Sequence, residues 1–246
     1  MKTSQIFISA LLTEAVGVLV ILAIWGGASA FYPPYIIPSP VETLTGISGA
    51  LPANLTGHLM ITLYRILLGF LIAFIFGTTG GILAALAKAD KPVNSLMVAL
   101  QVVPGTILGV IFLLMFGIGS ATPILLVAFL TLPTLAINTT NGLAKRSTTA
   151  EGYLQSIHAS KWQIVRYNYL PALVPVLQSN LSLGISMAVK VVVLGEFIGS
   201  QDGLGYLLNH ARLIFNMQEV FFYLLLLMAF SLAFQAIQSL VFSVSL

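Results

Sequence analysis

"AEGYLQSIHASKWQIVRYNYLP", residues Ala150–Pro171, is the most polar and aromatic stretch between two long apolar blocks. Its residues Tyr153, Ile157, Trp162, Val165 and Tyr169 recur at spacings of three to five, an approximate helical stripe. The stripe breaks near His158–Ser160, which predicts two short helices with a bend between them. Pro171 has no amide donor, and so predicts the end of the second short helix and the opening of the next apolar run. Such a segment has two uses. It can rest on a bilayer surface, where Trp162 and Tyr169 beside Lys161 and Arg166 would sit well, or it can be a knob on which another protein docks.

The rest of the chain puts this segment in a membrane protein. Of 246 residues, 58% are hydrophobic and only 7% charged, whereas a soluble domain carries roughly 25% charged residues. Runs of spanning length fall at about 6–30, 59–87, 93–117, 122–140, 172–195 and 220–246. They predict an all-α integral membrane protein of six transmembrane helices forming a single transmembrane domain over 1–246. A cytoplasmic segment, 147–168, precedes the fifth run, and outer segments lie at 31–57 and 196–219. "GIGSATP" (Gly117–Pro123) supplies a tight reversal between the third and fourth runs. With no cysteine there is no disulfide, thiolate metal site or cysteine nucleophile.

Orientation follows from the bases. With the N-terminus cytoplasmic, Lys2, Lys88, Lys91, Lys145, Arg146, Lys161 and Arg166 fall inside, and Arg212 falls outside. "ASA" at Ala28–Ala30 resembles a signal cleavage site, but the preceding apolar run is long and its basic region is a single lysine, so a first span is the better reading. The outer segment contains "PSP" and predicts a short interfacial helix around Val41–Leu51.

Charges inside spans are candidates for function. Arg65 and Lys190 both fall toward the outer leaflet, level with Glu196, and the three are candidates for a translocation pathway. Snorkelling, or a Lys190–Glu196 relationship, is the plainer account. Six residues turn a straight helix through about 600°, so that pair would need a break near Gly195. Glu14 lies roughly 12 Å inside the first span at 1.5 Å per residue, with no evident partner. Gly69, Gly77, Gly80 and Gly81 predict close helix packing. "GLG" (Gly203–Gly205) lacks the strand-to-helix context of a nucleotide site and predicts a turn before an outer amphipathic helix, Tyr206–Phe215.

"ASKWQIVRYNYLPALVPVL" (Ala159–Leu177) resembles the cytoplasmic loop of the inner-membrane subunits of bacterial binding-protein-dependent ABC importers, whose form is E-A-A-x-x-x-G, about nine residues, then I-x-L-P. "PSPVETL" followed by "HLMITLYRILLGFLIAFIFGTTGGIL", and "VVVLGEFIGSQDGLGYLL", are similar to segments of the nitrate/sulfonate/taurine branch. Two positions depart from the pattern. His158 stands where the loop glycine is usual, and Gly152 where the glutamate is usual, with Glu151 one place upstream. Histidine is among the non-glycine residues enriched at positive φ, so a bend there survives.

The resemblance implies a type I importer permease in the bacterial inner (plasma) membrane. It implies a homodimer on two copies of an ATPase, which binds the ATP and Mg, together with an extracytoplasmic substrate-binding protein; this chain itself would hold no cofactor and do no catalysis. Glu151, Tyr153, Ile157, His158, Ala159, Trp162 and Arg166 are then the ATPase-coupling residues. The solute implied is a small anion such as a sulfonate, taurine, nitrate or bicarbonate; the alternative is an aminopyrimidine-type vitamin precursor. A self-contained secondary transporter is the rival from another class. It calls for ionisable residues at mid-membrane, where Glu14 alone falls, and no Walker motif is present to drive transport from within.

Overall fold

The computed structural model describes the backbone of residues 2–45, 51–52 and 54–243, and side chains over 16–45, 51–52, 54–234 and 236. Every regular element among them is helical: α1 (Lys2–Phe31), α2 (Pro40–Thr45), α3 (Leu55–Leu86), α4 (Asp90–Gln101), α5 (Gly105–Phe116), α6 (Ala121–Ala144), α7 (Thr148–Ser156), α8 (Lys161–Ile164), a π-helical turn (Val165–Tyr169), α9 (Leu170–Gly199), α10 (Leu204–Leu213) and α11 (Met217–Ser243). Four stretches are long and apolar enough to cross a membrane: Leu55–Leu86, Ala121–Ala144, Lys161–Gly199 and Met217–Phe234. Val16–Phe31 is a shorter apolar helix. The side chain of Glu14 lies outside the described residues, as do residues 46–50 of the interfacial helix expected at Val41–Leu51.

The run expected as one span at 93–117 is instead two helices, α4 and α5, bent by 81°. Pro104 is the reason. Its ring disfavours helical geometry at Val103 and it donates no hydrogen bond. It takes φ −59°, ψ 130°, and its carbonyl caps the new helix by accepting from Ile107 and Leu108. The fifth run differs in the opposite sense. Pro171 does not end α8, because helix continues from Lys161 to Gly199 without a gap. The π-helical turn at Val165–Tyr169 absorbs the proline by widening the backbone just before it. The outer helix also begins earlier than expected, at Leu204, and ends at Leu213.

The chain divides into two compact units. In the first, Met1–Leu55 with Leu208–Met228, the Trp25 indole donates to the Pro38 carbonyl at 2.9 Å and stacks on Phe221 at 5.2 Å between ring centroids. Ser39 and Glu42 exchange backbone-to-side-chain hydrogen bonds at the start of α2. The bond from the Ser39 amide holds the Glu42 carboxyl below the usual carboxylate range.

The second unit, Thr56–Leu207 with Ala229–Leu246, is built around α3, α6 and α9. Ile66, Phe70, Ala73, Val127, Leu135, Ala188, Val189 and Val192 form its core. In lipid the apolar surroundings supply little drive for helices to associate, so close packing and interhelical hydrogen bonds hold them. Asn180 is fully buried at the meeting of the three helices. Its amide donates to Thr139 Oγ1 at 2.8 Å and Thr78 Oγ1 at 3.1 Å, and its Oδ1 accepts from Asn138 at 2.8 Å.

Small residues set the spacing of α3 and α6. A Cβ on Gly81 would lie 2.6 Å from Thr139 Cβ, on Gly77 2.7 Å from the Leu132 carbonyl oxygen, and on Gly69 2.7 Å from Val127 Cβ. Gly80, grouped with them in the sequence, faces open space. Gly81→Leu should therefore destabilise this unit by about 1–3 kcal/mol through overpacking. Gly80→Leu should leave thermal unfolding in detergent unchanged, and equal effects of the two would contradict this packing.

Candidate functional site

The segment 147–168 is built by its caps. The Ser147 hydroxyl accepts from Ala150 N–H at 3.1 Å and starts α7. The helix closes with Ala159 N–H on Leu154 O at 2.9 Å and His158 N–H on Gln155 O at 3.0 Å, a paired closure that needs a left-handed residue between them. His158 is that residue, at φ 54°. Ser160 and Gln163 then form a reciprocal capping box that opens α8. The bend expected at His158–Ser160 thus has a specific backbone cause.

Two contacts fix α7 to the foot of α9. Arg146 Nε donates to Glu151 at 3.1 Å, and the same guanidinium lies 4.5 Å above the Tyr169 ring. Glu151 points back to Arg146, and at Gly152 an added Cβ would meet nothing within 4 Å. Tyr153 (66% exposed), Ile157 and Trp162 (68%) stand in the open, with His158, Lys161 and Arg166 also exposed and Ala159 half-buried. Isolated aromatics on a surface are ordinary; three large apolar side chains on one short bent segment with cations beside them make a patch fit for docking.

The charges expected near the outer leaflet divide into two groups. Arg65 and Glu196 are 1% and 0% exposed and form an ion pair of 2.9 Å. Arg65 therefore does not snorkel. Its guanidinium also donates to the Asp202 carbonyl at 2.8 Å, to the Asp202 carboxylate, and to Ser120 Oγ at 3.0 and 3.1 Å. Glu196 accepts in addition from Thr62 Oγ1 at 2.9 Å and Gly205 N–H at 2.9 Å. Gly203 N–H donates to His58 Nδ1 at 3.0 Å, and Leu204 N–H to Thr62 Oγ1 at 3.0 Å.

Lys190 lies apart from this cluster. It is exposed on α9 and among the described residues makes no ion pair. The helix runs unbroken past Gly195, so Lys190 and Glu196 stay on different sides of it.

Asp202, Thr62, Ser120 and His58 were not among the residues expected from sequence. Their signal was the "GLG" turn. Gly203 takes φ 98°, and a side chain there would collide with the Glu196 carboxylate. A Cβ on Gly205 would meet Glu196 Cβ at 2.8 Å. The two glycines bring the backbone onto a buried acid.

A helical membrane protein with a capped, exposed segment joined directly to a span suits the class of membrane transport components. The model of the binding-protein-dependent transport system inner membrane component matches residues 69–243, and the chain belongs to that family. It is 32% identical over 208 residues to the putative aliphatic sulfonates transport permease of Bacillus subtilis (strain 168), covering 82% of this chain and 75% of that one. It is 27% identical over 205 residues to the formylaminopyrimidine transport permease of Halalkalibacterium halodurans, covering 82% of each. An inward-facing structure of the MetNI methionine ABC transporter shares the fold at TM-score 0.65 and 22% identity, covering 76% of this chain and 94% of that one. The chain is accordingly a multi-pass inner-membrane transport component with a type I permease fold, and not itself an enzyme.

Removing one partner of a buried ion pair leaves a charge without compensation. Arg65→Met should cost about 3–5 kcal/mol and lower the yield of folded protein. Arg65→Met combined with Glu196→Gln should recover part of that loss in the same thermal melt. His158→Gly should preserve or raise stability, by up to about 1 kcal/mol, since glycine accepts a left-handed φ without strain, whereas His158→Val should lower the melting temperature.

Proposed function

We propose that this chain is the translocation subunit of an ATP-driven importer of a small anionic solute such as a sulfonate, taurine, nitrate or bicarbonate. It works as a homodimer with six spans per copy, on two copies of a separate ATPase that binds ATP and Mg, and receives solute from an extracytoplasmic binding protein. Residues 147–168 are the coupling segment. Tyr153, Ile157 and Trp162 seat it in the ATPase; Lys161 and Arg166 orient it; His158 and Ala159 shape its bend; Glu151 braces it on Arg146.

The observation that carries this reading is the exposed apolar patch on a segment continuous with a span. Helix from Lys161 to Gly199 means that a force applied at Trp162 would reach the outer end of α9 through two compliant places, the π-helical turn and Pro175. ATPase closure around nucleotide would then tilt α9 and reorient the cavity between copies.

The anionic solute is supported by the similarity to an aliphatic sulfonates permease. The similarity to a formylaminopyrimidine permease favours the second reading, a vitamin precursor. Uptake assays with labelled taurine and labelled formylaminopyrimidine in the reconstituted complex separate the two. Tyr153→Asp and Ile157→Asp should each abolish ATP-driven uptake while the permease stays folded and in the membrane. Scrambling residues 150–166 should remove the ATPase from a tagged pull-down, and undiminished co-purification would overturn the docking assignment.

A further inference from the structure

We propose that His58 is a pH-sensitive latch on the loop that closes the outer end of α9. Its neutral imidazole holds the Gly203 amide, and protonation releases the loop that carries Asp202 to Arg65. That this end of the bundle faces outward rests on the importer reading above; the contact itself does not.

Three side chains of α3 grip that loop. His58, Thr62 and Arg65 are spaced four and three residues apart, and at 100° per residue they fall within an arc of about 60°. Gly203 N–H donates to His58 Nδ1 at 3.0 Å, Leu204 N–H donates to Thr62 Oγ1 at 3.0 Å, and the Asp202 carbonyl accepts from Arg65 at 2.8 Å. Gly203 presents its amide from a left-handed backbone, at φ 98°. A Cβ added there would lie 2.3 Å from the Glu196 carboxylate, so no side chain fits at that point of the loop. His58 also stacks on Tyr206 of α10, with ring centroids 6.2 Å apart and planes 15° from parallel. One imidazole thus ties the start of α3 to the loop and to the helix that follows it.

Of the three grips, protons can switch only this one near neutrality. A threonine hydroxyl does not titrate and a guanidinium stays charged, whereas histidine is the side chain that changes charge between about pH 5 and 8. A backbone N–H can only donate, so Nδ1 is the acceptor and the ring proton sits on Nε2. A proton added to Nδ1 sets N–H against N–H. The bond is lost, and the amide of the buried Gly203 is left without its partner.

The surroundings offer the imidazolium little in return. The charged and titratable groups of the joint are Arg65 on α3, Glu196 on α9, Asp202 in the loop and Tyr206 on α10. Both carboxylates already pair with Arg65, and a charged His58 adds a second cation to the same face of α3. His58 is half-buried in the first turn of its helix, where protons from the outer solution can reach it. With Gly203 released, Asp202 is held by Arg65 and by the Ser200 hydroxyl on its carbonyl. The outer joint is therefore tight at neutral pH and looser in acid.

Hydrogen–deuterium exchange in the reconstituted permease–ATPase complex reads the latch directly, with fragmentation that resolves single amides. Protection of the Gly203 amide, corrected for the intrinsic pH dependence of exchange, is compared at about pH 7.5 and about pH 5.5, on either side of the ordinary histidine range. Gly119 N–H, which donates to the Gly199 carbonyl at 2.9 Å in the same unit, is the reference bond with no titratable partner. In the unsubstituted protein Gly203 should lose roughly tenfold in protection on the acid side, a change that one hydrogen bond can account for, while Gly119 stays constant. His58→Asn, whose Oδ1 can accept from the same amide and does not titrate, should keep the protection at both pH values. His58→Leu should lack it at both.

Gly203 protection that is indifferent to pH in the unsubstituted protein would overturn the latch, as would the same acid loss in His58→Asn or full protection in His58→Leu. None of these results touches the coupling assignment, which stands or falls on co-purification of the ATPase.

Discussion

A guanidinium buried among membrane helices has to be satisfied on every side, and doing so for Arg65 governs how four parts of this chain meet. It sits on α3, takes one carboxylate from α9, a hydroxyl from the turn between α5 and α6, and both a carbonyl and a carboxylate from the loop after α9. Once Arg65 has its partners, each helix end around it is fixed in height. The arrangement is sharply conditional: a buried pair adds little net stability compared with apolar residues of the same volume, but half of one is very costly. Its contribution is to registry, since a one-turn slip of α9 against α3 would move Glu196 by about 5.4 Å and strand both charges.

That pinned outer end gives the long helix its mechanical character. Helix from Lys161 to Gly199 covers 39 residues, about 58 Å at 1.5 Å per residue. Its outer end is tied by ions, its middle by Asn180 to α3 and α6, and its inner end carries the exposed apolar patch. On the coupling reading proposed above, a helix held at two levels and pushed at a third pivots instead of sliding. The π-helical turn at Val165–Tyr169 lies between the push and the nearer restraint, where a bulge can take up bending without breaking the helix. Arg146, joined both to Glu151 on α7 and to the face of Tyr169, bridges that turn from outside and ties α7 to the foot of the long helix.

The large features of this fold were legible because they depend on local rules. Apolar run length located the four helices long and apolar enough to cross a membrane, the stripe through Tyr153, Ile157 and Trp162 announced the short helices, and the propensity of histidine for positive φ allowed the bend at His158. Pro104 and Pro171 show where local rules diverge. Both lack a donor, yet the first splits a helix by 81° and the second is absorbed by a π-helical turn. At Pro104 a second helix is capped by the proline carbonyl itself; at Pro171 the widened turn removes the clash before the ring arrives. One local signal does separate them: Gly105 follows Pro104 and makes a Pro-Gly turn pair, whereas Ala172 follows Pro171. The ionic cluster was less legible still. Arg65 and Glu196 are 131 residues apart, and the pairing depends on Asp202 and Gly203 bringing a loop back over the acid. Gly80, identical in type to Gly81, faces away from α6 because one residue turns the helix by 100°.

The two intramembrane cations of this unit therefore have opposite physical status despite similar positions in the sequence. Arg65 is compensated: two carboxylates, a hydroxyl and a carbonyl surround it. Lys190 is uncompensated among the described residues and lies on the polar side of its helix. The planar, always-charged guanidinium, with five donors in a fixed fork, suits a static joint that must satisfy several acceptors at once. The ammonium of Lys190, a compact charge on a flexible stem, is exposed and makes no ion pair among the described residues. Lysine at 65 would leave acceptors in the joint unmatched.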